Sequence, residues 1–96
     1  GMGRIGRAIA RRCHFGFGME VVYHNRSAVA DAGVPARAGT MAEAMAADFV
    51  VVAVPGGAGT HHLINAQVIE MMKPSGIFVN ISRGDVVDET ALVDAL

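Results

Sequence analysis

Apolar residues recur at helical spacing from Arg4 to about Phe15, with Ile5, Ala8, Ile9 and Cys13 on one face and Arg4, Arg7 and Arg11 on the other. Gly16 and Gly18 close this helix. The pattern then changes to a short β-branched and aromatic stretch, Met19 to His24, which reads as a strand with polar Asn25-Arg26-Ser27 at its carboxyl end. Residues 28–39 are rich in alanine and glycine and contain Pro35. They read as a connection with one turn of helix and a short strand near Ala36 to Ala38.

The second half repeats the alternation. Thr40-Met41-Ala42-Glu43 has the spacing of a capping box and opens a short helix to about Ala47. Phe49 to Val54 is a continuous apolar run, the pattern of a parallel strand covered on both faces, and the loop Pro55 to Thr60 follows it. Asn65 caps a helix through Met72, with Ile64 and Ile69 placed as a hydrophobic staple. Lys73-Pro74-Ser75-Gly76 stops that helix. Ile77 to Ile81 is another strand, Ser82 to Asp85 a loop past its end, and Asp88 caps a last helix from Glu89 to Leu96. Strands alternating with helices predict a doubly wound, mostly parallel α/β sheet of Rossmann type. Ligands of such sheets bind outside the carboxyl ends of the strands. The loops 25–27, 55–60 and 82–85 all lie at those ends, and so does the glycine loop at the start of the chain.

Composition narrows the function classes. The net charge of -1 over 96 residues offers no basic surface for nucleic acid, and none is expected as a partner. The longest apolar run, Phe49 to Pro55, is far too short to span a membrane. No basic segment followed by an apolar stretch marks a signal peptide, although a leader removed upstream of Gly1 would leave the same sequence. Cys13 is the single cysteine, so no internal disulfide forms; this fits a reducing compartment, as it would a secreted chain without bridges, and the expected location is cytoplasmic. There is no internal repeat or low-complexity segment.

The candidate chemistry begins at Gly1-Met2-Gly3-Arg4-Ile5-Gly6, a G-x-G-x-x-G fingerprint running directly into a helix. The first glycine permits a tight turn, the second lets backbone approach a pyrophosphate, and the third allows close helix packing. The helix start presents N–H groups and partial positive charge to phosphate, with Arg4 beside it. Enzymes that use NAD commonly carry an acid about 20 residues past the glycines to bind the ribose 2′-hydroxyl. Here Asn25 lies at that strand end and no acid does. Arg26 can pair with a 2′-phosphate and Ser27 can donate to it, which points to NADPH in preference to NADH. The bland alternative for Arg26 is an exposed arginine in a turn; the missing acid tips the balance. His61 and His62 have no third ligand at metal spacing, so no metal is expected, and His14 reads as a helix-end cation.

Together these stretches resemble the D-isomer-specific 2-hydroxyacid dehydrogenases, and within them the glyoxylate/hydroxypyruvate reductase branch. The resemblance rests on Gly1 to Arg7, Tyr23 to Arg26, His62 to Asn65, Met72-Lys73-Pro74 and, above all, Val79 to Asp88. It implies hydride transfer from NADPH to a small 2-keto acid, with Arg83 binding the carboxylate and carbonyl oxygen. From spacing alone, Arg83 reads first as an ion-pair partner of Asp85 or Asp88, and only the motif reverses that reading. The implied cofactor contacts fall on Gly1, Gly3, Arg4, Ile5, Gly6, Asn25, Arg26, Ser27, Pro55, Thr60, Ile81 and Ser82. The family often has Thr-Pro-Glu-Thr where this chain has Gly57-Ala58-Gly59-Thr60, and only Pro55 and Thr60 carry over.

The resemblance also implies a homodimer. It makes residues 1–96 a partial dinucleotide-binding domain, with a substrate domain and a catalytic histidine–carboxylate pair that match nothing here. His14, His24, His61 and His62 do not fit that motif. Other members, of phosphoglycerate or formate type, remain alternatives, as does a non-catalytic corepressor-like module that senses dinucleotide. In a 3-2-1-4-5-6 sheet the strand feeding the glycine loop is central. Without it, the strands at 19–24 and 49–54 have no common neighbour, so these residues alone are expected to fold poorly and not to turn over.

Overall fold

The computed structural model describes residues 1–27 and 29–96. Helix α1 spans Arg4–Phe17. It ends two residues later than expected because Gly16 stays helical and Gly18, at φ 66°, takes the left-handed cap. The Gly18 N–H donates to the His14 carbonyl at 2.9 Å and that of Met19 to Cys13 at 3.2 Å. The His14 ring lies in this last turn and hydrogen-bonds the Met19 carbonyl through Nδ1 at 2.9 Å. The buried line of α1 is Gly6 and Ala10, whereas Ile5 is 63% exposed. The helical period placed Ile5 on the apolar face. The actual contact is closer than an isoleucine allows, since a Cβ on Gly6 would overlap the Gly1 carbonyl oxygen.

Strand β1 (Val21–Tyr23) pairs in parallel with β2 (Ala36–Ala38), Val21 opposite Ala36 and Tyr23 opposite Ala38. The single helical turn expected between them is not found among the described residues. Instead, Asp31 accepts the Gly33 N–H at 2.8 Å and Gly33 turns at φ 75°. Ala28, within the same expected connection, lies outside the described residues. Helix α2 (Met41–Met45) opens with the full capping box: Glu43 N–H donates to Thr40 Oγ1 and Thr40 N–H to Glu43 Oε1, both at 3.1 Å. It stops two residues short of Ala47, whose N–H reaches back only to Ala44.

Strand β3 (Phe49–Val52) pairs in parallel with β4 (Ile77–Asn80), Phe49 opposite Ile77 and Val52 opposite Asn80. Both are shorter than the apolar runs that predicted them. Between them α3 (Ala66–Ile69) is capped by Asn65, whose Oδ1 accepts the Val68 N–H at 3.1 Å. The expected extension to Met72 is present as tighter turns, with Met71 N–H bonded to Val68 and Met72 N–H to Ile69. Lys73 pairs with Asp48 beyond it. Helix α4 (Glu89–Ala95) is capped by Asp88, which accepts from Ala91 at 3.3 Å. Short 3₁₀ turns at Ala58–Thr60 and Gly84–Val86, and a parallel bridge between Ile64 and Val87, were not apparent from the pattern.

The core gathers Met45, Val50, Val52, Ile64, Ile69, Val86 and Val87. It lies against one face of the β3–β4 pair, with both staple residues, Ile64 and Ile69, inside it. The apolar run of β3 predicted cover on both faces, but Phe49 and Ile77 are each 51% exposed. The alternation of helices with parallel strands is that of a Rossmann-type α/β fold, in two pairs, β1–β2 and β3–β4. The edges of β1 and β3 border a cavity of about 170 Å³ lined by Ile9, Cys13, Val22 and Val51 among others. As expected, these strands share no neighbour among the described residues.

Candidate functional site

The glycine loop is fixed by contacts of unequal kind at its three glycines. A Cβ on Gly1 would overlap the carbonyl of Ala53, and one on Gly6 would overlap the carbonyl of Gly1. These glycines let the loop, α1 and the end of β3 touch backbone to backbone. A Cβ on Gly3 would meet nothing within 4 Å. Gly3 therefore faces open space at the start of α1, where the first helical N–H groups lack intrahelical acceptors. A bare backbone, unpaired donors and the positive end of a helix suit a pyrophosphate. Arg4 and Ile5 are exposed in the same first turn.

The strand-end loops converge on this point through side chains. Asn25, past β1, accepts the Met2 N–H through Oδ1 at 3.0 Å and donates through Nδ2 to the Ser27 carbonyl at 2.8 Å. It thereby holds the glycine loop and its own turn together. Arg26 reaches across the mouth, its Nη2 donating to the Gly59 carbonyl at 3.2 Å. The loop after β3 is shaped by Thr60, which is only 6% exposed and donates Oγ1 to the Pro55 carbonyl at 2.7 Å. Its hydroxyl serves the loop's own backbone. Gly57, at φ 130°, makes the turn there.

Past β4, Ser82 is held between both strands. Its Oγ accepts the Val54 N–H at 2.7 Å and donates to the Val52 carbonyl at 3.2 Å, while its N–H donates to Asn80 Oδ1 at 2.9 Å. Ile81 continues the ladder by donating to the Val52 carbonyl at 3.1 Å. Arg83 follows with its side chain 73% exposed. Its aliphatic stem lies so close over Gly56 that a Cβ there would overlap Cδ. Its Nε stands 3.7 Å from Asp85 Oδ1, a loose contact on a side chain that stays largely exposed. Asp85 also stands 3.7 Å from His61 Nδ1, and His61 stacks on His62 at 4.0 Å between ring centroids.

The residues singled out by the sequence thus gather on one edge: the glycine loop, Asn25, Arg26 and Ser27, the loop from Pro55 to Thr60, and Ser82 with Arg83. Besides Arg4 in the first turn of α1, the guanidinium groups of Arg26 and Arg83 border this edge, and both side chains rest on the same loop. Sequence reasoning missed the two glycines beneath them, Gly56 and Gly59. The signal was available as the run of glycines between Pro55 and Thr60. Among the described residues no group of three or more His, Cys, Asp or Glu side chains is placed to hold a metal ion. No helix among them is long and apolar enough to cross a membrane.

Comparison with known proteins places this geometry. The family model for the D-isomer specific 2-hydroxyacid dehydrogenase NAD binding domain matches residues 1–96. Glyoxylate/hydroxypyruvate reductase B of Pectobacterium atrosepticum is 48% identical over 99 residues, a match that takes in 100% of this chain and 31% of that protein. Among solved structures, a D-lactate dehydrogenase from Treponema pallidum superposes with a TM-score of 0.89 at 37% identity, over 100% of this chain and 29% of that one. An NADPH-dependent glyoxylate/hydroxypyruvate reductase from Sinorhizobium meliloti, solved in complex with NADP and malonate, gives a TM-score of 0.88 at 43% identity. That match covers 100% of this chain and 30% of the relative. The chain therefore spans just under a third of the length of these relatives.

Proposed function

Since the chain belongs to the D-isomer-specific 2-hydroxyacid dehydrogenase family, we propose that the protein carrying it reduces glyoxylate or hydroxypyruvate to the D-2-hydroxy acid, with NADPH preferred over NADH. Residues 1–96 serve as part of the dinucleotide-binding domain. The substrate domain and the proton donor lie elsewhere, and the whole assembles as a cytoplasmic homodimer. The observation that carries this reading is the pair of exposed arginines, Arg26 and Arg83, on either side of one glycine-rich loop beside the open Gly3.

The bound nicotinamide supplies the hydride. The chain's own residues bind and orient. Gly3 and the first N–H groups of α1 receive the pyrophosphate, with no side chain in the way. Arg26, with no acid at its strand end, receives the 2′-phosphate through charge-assisted hydrogen bonds. Arg83 offers a planar fork that holds the substrate carboxylate and donates to the carbonyl oxygen as negative charge develops there.

The test is NADPH oxidation by the purified gene product with glyoxylate and with hydroxypyruvate. Turnover with both acids is expected, with a lower KM for NADPH than for NADH. Arg83→Gln should cost about 100-fold or more in kcat/KM, the scale of losing one preorganised donor to a developing oxyanion. Arg26→Asp should reverse the cofactor preference. The absence of keto-acid-dependent oxidation would overturn the reaction, and an unchanged NADPH/NADH ratio in Arg26→Asp would overturn the cofactor assignment.

A further inference from the structure

We propose that Gly59 is a positioning residue for cofactor selection: its carbonyl holds the Arg26 guanidinium across the mouth of the site, and its missing side chain keeps that cation in place and un-neutralised. The inference rests on the reading of Arg26 as the 2′-phosphate ligand. Nη2 of Arg26 donates to the Gly59 carbonyl at 3.2 Å, joining the loop past β1 to the loop past β3, 33 residues away in sequence. The bond is exposed and worth little to stability; its consequence is geometric.

A guanidinium carries five N–H donors in a rigid fork, so one donor engaged by a carbonyl leaves four for a phosphate. A carbonyl is also a neutral acceptor and leaves the full positive charge available. A carboxylate at position 59 would instead pair with Arg26 and repel an incoming 2′-phosphate. An anchored arginine also gives up less rotamer freedom on binding than one that swings in solvent. Asn25 completes the frame, since its bond to the Met2 N–H fixes the turn carrying Arg26 against the glycine loop.

Space decides why the residue is glycine. A Cβ built at position 59 would stand 2.9 Å from Arg26 Nη2, and the next nearest atoms, Nη1 and Cζ at 3.6 and 3.7 Å, belong to the same guanidinium. Gly59 does not use a left-handed φ, so alanine strains no backbone there. Gly59→Ala is thus a selective probe: it moves the far end of one flexible side chain and leaves the fold in place.

The experiment measures dissociation constants for NADPH and NADH by nicotinamide fluorescence in the gene product that carries residues 1–96. The variants are Gly59→Ala, Gly59→Glu, Arg26→Ala and the double variant Gly59→Ala with Arg26→Ala. Gly59→Ala should weaken NADPH about 5-fold, and Gly59→Glu about 30-fold, in proportion to a displaced and then a neutralised cation, with NADH held within about 2-fold. Gly59→Ala should add nothing once Arg26 is alanine, because the pair acts as one unit. Melting temperatures should not change. If Arg26→Ala lowers the NADPH/NADH affinity ratio while both Gly59 variants leave it intact, the inference fails and the assignment of Arg26 stands. If Arg26→Ala leaves the ratio unchanged, the assignment of Arg26 is itself wrong and the inference falls with it.

Discussion

Gly3 and Gly6 belong to the same fingerprint, yet alanine at each should do opposite things. A Cβ on Gly6 overlaps a backbone atom, the Gly1 carbonyl oxygen, which cannot rotate away as a side chain would. Overpacking of this kind costs up to about 3 kcal/mol. Replacing glycine by alanine in a helix returns at most about 1 kcal/mol. The net loss is then about 2 kcal/mol, roughly a 30-fold shift in the opening equilibrium of α1 against the loop. A Cβ on Gly3 meets nothing, so Gly3→Ala should leave stability within about 0.5 kcal/mol of the parent. Its methyl would instead occupy the path by which backbone approaches the pyrophosphate, and dinucleotide affinity should fall by about tenfold or more.

Hydrogen exchange at the α1 amides reads the first effect and a fluorescence titration with NADPH reads the second. Gly6→Ala should accelerate exchange about 30-fold, and Gly3→Ala should leave exchange alone while weakening binding. The reasoning is refuted if Gly3→Ala destabilises α1 as much as Gly6→Ala does. It is refuted equally if Gly3→Ala binds dinucleotide as tightly as the parent.

Three further outcomes follow from the geometry. Arg83→Lys keeps the charge but loses the fork, so kcat/KM for the keto acid should drop about 10- to 100-fold in steady-state assays while the NADPH dissociation constant stays put. Ser82→Ala strands the half-buried Val54 N–H, which should cost about 1–2 kcal/mol in a denaturant titration and speed exchange at that amide. The carboxyl of Glu43 is lowered from 4.5 to about 2, first by its hydrogen bond from Arg37 and then by its bonds with Thr40. Because the folded value is depressed, its support for the start of α2 is complete above about pH 4.5 and is lost as pH falls toward about 2. Glu43→Gln should flatten the pH dependence of stability in that window.

Caps and loops were legible because each depends on a few adjacent residues. Thr40 with Glu43, Asn65 and Asp88 cap as their spacing indicates. The convergence of the strand-end loops followed from the topology of parallel sheets, and the side-chain bonds of Asn25, Arg26 and Ser82 give it a physical form. What local pattern could not supply is whatever depends on distant partners. Ile5 falls on the apolar face by period, but Gly6 brings α1 too close to Gly1 for that face to be the one that packs. The apolar run from Phe49 to Val54 implies two covered faces, while the helices cover only one. The rest of Arg26 on Gly59 joins loops whose meeting no local spacing encodes. The role proposed for Arg83 rests on motif resemblance, since its spacing to Asp85 also suits the loose ion pair that is present.

The facing edges of β1 and β3 have a consequence for how the two strand pairs are joined. Each edge is a row of backbone donors and acceptors, and the strands behind them, Val21-Val22-Tyr23 and Phe49-Val50-Val51-Val52, contain no charge and no proline. Lysine, proline and bulges are the usual means of blunting such an edge, and neither strand sequence supplies the first two. The slot is therefore shaped for one extended apolar segment lying between the two edges. A segment seated there would satisfy the backbone groups of both edges at once and join the β1–β2 and β3–β4 pairs into one sheet beneath the glycine loop.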